Sequence, residues 1–213
     1  ITVNNENKKI LAAAGAIPIL VRSLTHESDS FKEQSARALW NLAVHRDNGN
    51  AIVNEGGIPL LLALCHNKPI SLIEGALGAL WVVVTNEMHH QKYLDAGAVS
   101  VLAALLLQEG SDFVQEKAAK CLWNLALLHV AVEVIVNSGI VPLLVELLRH
   151  GVEAVRTAAA GALFQLMNTR PRLQVVVADS GAVAPLTTML RIKTKDSQEM
   201  SIAVLNAISE TKK

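Results

Sequence analysis

Amide side chains stand at regular intervals in this 213-residue chain. Asn124, Gln165 and Asn206 follow one another in steps of 41 residues, and Asn41 lies 83 residues before Asn124. A carboxamide offers a hydrogen-bond donor and an acceptor together, so regularly spaced amides could pair with the backbone of another polypeptide whatever its side chains. The alternative is that these amides lie on exposed helix faces and are only solvated.

A second row of residues lies four positions before the amides and contains two cations. Residues four apart share one face of a helix, so this row should lie beside the amides: Arg37, Gly78, Lys120, Gly161 and Ile202. Arg37 and Lys120 could hold an acidic partner. Glu33 and Glu116 lie four residues earlier still, however, and could instead form ordinary intrahelical ion pairs with these cations.

The remaining residues with catalytic or metal-binding chemistry are not arranged for either. No GxSxG, HExxH, P-loop or GxGxxG motif is present. His89 and His90 are adjacent and on a helix could not face one metal ion together, so we expect both to be solvated. Cys65 and Cys121 lack metal-ligand spacing and should be small buried residues, as in a reducing compartment. The sequence therefore predicts a protein that is not an enzyme and carries no metal or cofactor.

These residues are set out by an internal repeat of about 42 residues. A glycine precedes an aliphatic run five times, at Gly15, Gly56, Gly97, Gly139 and Gly181. A second series runs in step with the first, at Trp40, Trp81, Trp123, Phe164 and Leu205. Two independent series that share one period indicate five copies of one structural unit.

Local sequence signals divide each repeat into three helices. The glycine marks a sharp turn after a short first helix, and Pro18, Pro59 and Pro142 follow it by three residues, in the first turn of the second helix. Pairs of residues three apart resemble capping boxes and predict the start of the third helix: Ser30 with Glu33, Ser71 with Glu74, Asp112 with Gln115, and Asp196 with Glu199.

The Gly-(Ala/Ile)-(Ile/Val)-Pro-x-Leu turn and the Ala-Leu-Trp-Asn-Leu helix, repeated in phase, resemble the armadillo repeat family. The resemblance covers essentially the whole chain and implies an all-α, right-handed α-solenoid of about five three-helix repeats; two-helix HEAT arrays are the minor alternative. We expect one armadillo domain over residues 1–213, with units at roughly 4–46, 47–87, 88–129, 130–170 and 171–213. Residues 1–3 align with 42–44, so we expect a fragment of a longer array, with end-to-end self-association as a consequence.

The resemblance also implies a role for the two rows. In armadillo proteins third helices line a concave groove, where an asparagine from each repeat holds the main chain of an extended peptide. This role falls on Asn41, Asn124 and Asn206, with Gln165 in the fourth repeat and Val82, which cannot hydrogen-bond, in the second. The small residues Gly75 and Gly78 together with Val82 predict an apolar depression in the second repeat.

The row before the amides separates members of the family. Importin-α-type receptors for basic nuclear-localisation peptides usually carry tryptophan there, whereas here Trp40, Trp81 and Trp123 directly precede the amide position and are expected to pack in the core or between repeats. A nuclear transport receptor is therefore disfavoured. Arg37 and Lys120 resemble instead the lysines with which β-catenin-type grooves hold acidic partners.

Composition limits the remaining possibilities. The 19 basic residues balance the 19 acidic ones, so no net field favours nucleic acid or an anionic membrane, and no stretch free of charged residues is long enough to span a bilayer. We expect a cytoplasmic or nuclear scaffold or adaptor that binds an extended or disordered protein segment. The alternatives are a transport receptor and the targeting module of a larger enzyme such as a ubiquitin ligase, because plant U-box proteins carry similar arrays.

Overall fold

A computed structural model describes residues 2–66, 69–192 and 194–210, with side chains from residue 6 onward. All regular structure in these ranges is helical. None of the described helices alone has the length and apolar character needed to cross a membrane. Two pairs of neighbouring helices reach that length together, Ile70–Val84 with Glu87–Asp95 and His129–Asn137 with Ile140–His150, but they bend by 111° and 78° at the break.

The helices follow the predicted three-part repeat. The first helices of the five repeats are α1 (Thr2–Ala13), α4 (Arg46–Asn54), α7 (His90–Asp95, after a 3-10 turn at Glu87–His89), α10 (His129–Asn137) and α13 (Leu173–Asp179). The second helices are α2 (Ala16–Ser23), α5 (Gly57–Leu64), α8 (Ala98–Leu106), α11 (Ile140–His150) and α14 (Val183–Met189). The third helices are α3 (Asp29–Ala43), α6 (Ile70–Val84), α9 (Asp112–Leu125), α12 (Glu153–Thr169) and α15 (Lys195–Ser209).

The turn between the first and second helices depends on its glycine. Gly15 has φ +80°, and the equivalent glycines of the other repeats lie between +69° and +82°. This left-handed conformation is open to glycine at little cost but strained for residues with a Cβ atom. The predicted inter-helix turn is thereby confirmed in all five repeats.

The predicted starts of the third helices are wrong by one or two residues. The capping positions are Ser28, Pro69, Ser111 and Thr194 rather than the serines and aspartates of the predicted capping boxes. Among these, Ser111 Oγ accepts a hydrogen bond from the Val114 amide. The predicted cap Asp112 lies in the first helical turn, where a carboxylate interacts favourably with the helix dipole.

The chain forms two compact units, residues 1–101 and 102–213. In unit 1, α3 packs along α6; in unit 2, α12 packs against both α9 and α15. Alanine lines these contacts, with Ala36 and Ala76 fully buried in unit 1 and Ala118 and Ala159 in unit 2. Because alanine is small, the third helices approach closely, and neighbouring leucines fill the core at about 1.5–3 kcal/mol for each buried side chain.

The expectation that His89 and His90 are solvated is wrong. Both are buried, and the His90 ring bonds through Nε2 to the Val84 carbonyl oxygen at 2.8 Å. Adjacent residues of one helix would point in different directions, but here His89 ends the 3-10 turn and His90 begins α7. Both rings can therefore pack inward. Cys65 and Cys121 are buried, as expected.

Candidate functional site

The structure places all five residues of the predicted amide row on third helices. Asn41 lies on α3 and Val82 on α6 in unit 1, and unit 2 carries Asn124 on α9, Gln165 on α12 and Asn206 on α15. Asn41 and Asn206 are exposed, and the other three are half-buried. None is a core residue, so their side chains are accessible to a partner to different degrees.

Two amides of the row already form hydrogen bonds within unit 2. Asn124 Nδ2 donates to the Lys120 carbonyl oxygen one turn earlier at 2.9 Å. Gln165 Nε2 donates to Thr169 Oγ1 at 3.1 Å, and this hydroxyl donates to the Ala126 carbonyl oxygen at 2.7 Å. Each amide nitrogen carries two hydrogens, so one bond leaves a hydrogen and the carbonyl oxygen for another partner. These bonds also hold the side chains in a fixed orientation.

In unit 1 the cation beside the amide row is paired. Arg37 Nε lies 3.3 Å from Glu33 Oε1, and the Arg37 side chain remains 48% exposed. The other oxygen of Glu33 accepts a hydrogen bond from Ser71 Oγ at 2.7 Å, which links α3 to α6. The intrahelical pair considered from the sequence is therefore formed, and Arg37 keeps an exposed surface of its own.

Lys120 is paired in the same way in unit 2. Glu116 Oε1 accepts from Lys120 Nζ at 2.6 Å and from Lys117 Nζ at 3.0 Å. Burial alone would raise the pKa of Glu116. The hydrogen bonds and charges of the two lysines have the larger combined effect, so the pKa of Glu116 lies below its ordinary value. Lys117 and Lys120 therefore share the Glu116 carboxylate beside Asn124.

The predicted apolar depression at Gly78 is not open, because Trp40 fills it. A Cβ atom on Gly78 would lie 2.5 Å from Trp40 Cδ2, so the indole rests directly on the backbone of α6. Trp123 takes the same place in unit 2, where a Cβ atom on Gly161 would lie 2.3 Å from Cε3 of the indole. Gly78 is buried and positions Trp40 instead of contacting a partner. The expected packing of Trp40 and Trp123 between repeats is confirmed.

Each unit also contains a cleft at the carboxyl ends of its third helices. The unit 1 cleft lies between repeats one and two and is lined by Val82 of the amide row together with Asn50, Asn86 and His89 among others. The unit 2 cleft lies between repeats four and five and is lined by Asn206 of the same row together with Gln174 and Glu210 among others.

The two clefts are equivalent parts of the repeat. A shift of 124 residues relates Val82 to Asn206 and Asn50 to Gln174. The sequence interpretation did not identify them. A signal was present, because polar residues recur at the cleft-lining position of the first helix: Asn50, Gln91, Glu133 and Gln174. A cleft therefore lies next to the amide row in both units.

Possible metal ligands are not clustered in the part of the chain that the structure describes. No group of three or more His, Cys, Asp or Glu side chains there could hold a metal ion.

Comparison with solved structures shows which known folds this chain is similar to. The designed armadillo repeat protein YIII(Dq)4CqI is 24% identical, with 96% of this chain and 87% of that one covered and a TM-score of 0.88. An engineered protein of the Northeast Structural Genomics Consortium is 28% identical, with 97% and 86% covered and a TM-score of 0.89. The designed protein YIII(Dq.V1)4CPAF, solved in complex with the peptide (KR)4, is 24% identical, with 96% and 86% covered and a TM-score of 0.86.

No curated protein sequence matches this chain. A family model described as Armadillo/beta-catenin-like repeat matches residues 4–44, 48–84 and 131–167, together more than half of the chain. The matched segments lie in the first, second and fourth repeats, which are the ones that carry Pro18, Pro59 and Pro142. The fold is all-α and built of three-helix repeats, and the chain belongs to the armadillo repeat family.

Proposed function

We propose that this protein is a non-enzymatic scaffold that binds an extended segment of a partner protein along the exposed face of its third helices. The observation that carries the proposal is the amide row, in which Asn41 and Asn206 are exposed and Asn124 and Gln165 are half-buried at equivalent positions. An extended peptide has an unpaired amide and carbonyl at every second residue along one side, which carboxamides can satisfy without regard to side-chain sequence.

The similar solved proteins support this proposal. One of them is in complex with the peptide (KR)4, and another is described as a computationally designed armadillo repeat protein for modular peptide recognition. The row beside the amides argues against a receptor for basic peptides in this chain. Its cations Arg37 and Lys120 would repel lysine and arginine side chains, and Trp40 and Trp123 are packed on glycines.

The test replaces amides of the row and measures the affinity for a peptide. A peptide selected on the wild-type protein from a random 12-residue display library serves as the probe, and calorimetry gives its dissociation constant. Asn41→Ala and Asn124→Ala together should weaken binding about five- to a hundredfold, because each lost hydrogen bond contributes about 0.5–1.5 kcal/mol. The melting temperature should change little, since neither side chain fills the core.

Leu122→Ala is the matched control. Leu122 is 1% exposed, so its truncation should leave a cavity and cost about 2–5 kcal/mol of stability, while the affinity of the folded protein stays near that of the wild type. If the double asparagine variant melts normally and binds the peptide with unchanged affinity, the partner surface lies elsewhere on the molecule.

A further inference from the structure

The unit 1 cleft contains a fixed amide donor. Asn50 Oδ1 accepts hydrogen bonds from Asn86 Nδ2 at 3.0 Å and from His89 Nε2 at 2.8 Å. Asn86 is itself held, because its Oδ1 accepts from the Met88 backbone amide at 3.3 Å. Two donors on its oxygen set the orientation of the Asn50 carboxamide, and its Nδ2 group bonds no described residue. The cleft therefore presents an N–H group that is oriented before any ligand arrives.

The unit 1 cleft also contains a cation that is available to a ligand. Arg46 lines the cleft and forms no ion pair with the described residues. Glu87 also lines it, so the described lining residues include one basic and one acidic side chain. His89 adds no charge at neutral pH, because burial first, and then Lys92, His90 and Arg46, lower its pKa below the ordinary value. A carboxylate can accept from Arg46 and from Asn50 Nδ2, and its single charge is repelled by Glu87 less than a phosphate dianion would be.

We propose that the unit 1 cleft binds a carboxylate of the partner segment, with Arg46 as the ion-pair partner and Asn50 Nδ2 as the hydrogen-bond donor. The volume of the cleft, about 460 Å³, is in the range of pockets for small ligands. Val82 lines the same cleft, so the acidic residue lies where the amide row lacks a hydrogen-bonding side chain. This inference rests on the proposed function, which supplies the extended segment.

The unit 2 cleft provides a contrast within the same protein. It has the same place in the repeat and a similar volume of about 430 Å³. Among the described residues that line it, Glu210 is charged and none is a cation. A carboxylate should therefore bind the unit 1 cleft and not its counterpart.

Labelled peptides of eight residues test the preference by fluorescence anisotropy. The probes are C-terminally amidated (Glu-Ser)4, amidated (Gln-Ser)4 and (Gln-Ser)4 with a free C-terminal carboxylate. Amidated (Glu-Ser)4 should bind about tenfold or more tightly than amidated (Gln-Ser)4, as expected for charge-assisted hydrogen bonds. The third peptide separates the two sources of a carboxylate. If only the free C-terminus gains affinity, the ligand is a chain terminus, and an acidic side chain is excluded.

Variants separate the cleft from general electrostatic attraction. Arg46→Gln and Asn50→Ala should each abolish most of the preference for (Glu-Ser)4. Arg22→Gln is the matched control, because Arg22 is an exposed arginine of the same unit without an ion pair among the described residues. The control should keep the preference. A preference that survives Arg46→Gln, or that Arg22→Gln reduces equally, overturns the proposal.

A second measurement does not depend on peptide binding. In wild-type protein, titration with acetate should produce a saturable NMR shift of the Asn50 side-chain amide, and Arg46→Gln should remove it. Asn41→Ala should leave this shift unchanged even if it weakens peptide binding. Failure of the peptides to bind alongside a saturable acetate shift would count against the proposed function alone, whereas absence of the acetate shift would overturn the carboxylate site.

Discussion

His89 joins the first helix of the third repeat to the unit 1 cleft, and its ionisation should affect stability. Its pKa is lowered by burial and by the nearby charges of Lys92, His90 and Arg46. The unfolded chain takes up this proton near pH 6.5, whereas the folded protein does so only at lower pH. Unfolding therefore consumes a proton in this window, and the stability present above about pH 6.5 is lost as the pH falls through the folded pKa.

We predict that His89→Gln reduces the pH dependence of stability. Thermal melts at pH 7.5 and pH 5.0 should show a smaller loss of melting temperature in His89→Gln than in the wild type, because glutamine can still donate to Asn50 and does not titrate. His129→Gln changes an exposed histidine and should leave the pH dependence as it is. Equal pH dependence of the wild type and His89→Gln would mean that His89 is not held neutral by the fold.

At the level of single residues, the sequence predicted positions well and contacts poorly. The repeat period predicts Asn41, Val82 and Asn206 at equivalent positions of third helices, and the structure places each of them on a third helix. The hydrogen bond from His89 to Asn50 joins residues 39 positions apart, which no local pattern reveals. The clefts were missed for the same reason, since they form where three helix ends meet.

At the level of helices, the contact of Trp40 with Gly78 sets how α3 approaches α6, and Trp123 with Gly161 repeats it for α9 and α12. Gly78→Ala would place a Cβ atom 2.5 Å from the indole. This clash should outweigh the gain in helix propensity and destabilise the protein by about 1–3 kcal/mol. Urea unfolding followed by circular dichroism measures the change, and Gly161→Ala should behave in the same way.

Gly49→Ala is the matched control for this prediction. Gly49 lies within α4, where an added Cβ atom would meet its nearest atoms at 3.5 and 4.0 Å, so alanine should stabilise by about 0.5–1 kcal/mol. The two substitutions should thus have opposite signs. In a Trp40→Ala background, Gly78→Ala should no longer be unfavourable. A stabilising Gly78→Ala in the wild-type background would contradict the observed packing.

The accuracy of the predicted helix boundaries depended on how strongly each sequence signal constrains the backbone. Positive φ at Gly15 and its equivalents is a steric requirement, so the turns could be predicted to the residue. Capping is a weaker preference of about 1 kcal/mol, and a backbone amide can be satisfied in other ways, so Ser30 and Ser71 proved to lie inside the helices. The contacts between tryptophans and glycines could not be predicted from local sequence, because each contact joins two different repeats.

At the level of the whole molecule, one apolar position distinguishes the first repeat from the others. Leu11 on α1 is 51% exposed, whereas the residues at its place in the later repeats, Ile52, Tyr93, Ile135 and Val177, are at most 1% exposed. Ile10 beside it is 58% exposed. The position is apolar in every repeat but covered only from the second onward, so the first repeat presents a surface of the kind that is buried elsewhere.

We predict that this chain self-associates through that surface and that a charge on it prevents association. Sedimentation velocity at increasing protein concentration should show a rising average mass for the wild type, and Leu11→Lys should remain a monomer over the same range. Leu107→Lys is the control, because Leu107 is an equally apolar residue of 63% exposure and receives the same charge. Its association should match that of the wild type. Replacing a leucine by a lysine weakens association only where the partner covers that position, because only there is the charge buried. A wild-type chain that stays monomeric at the highest concentration, or equal effects of the two lysines, would show that the exposed surface of the first repeat does not drive self-association.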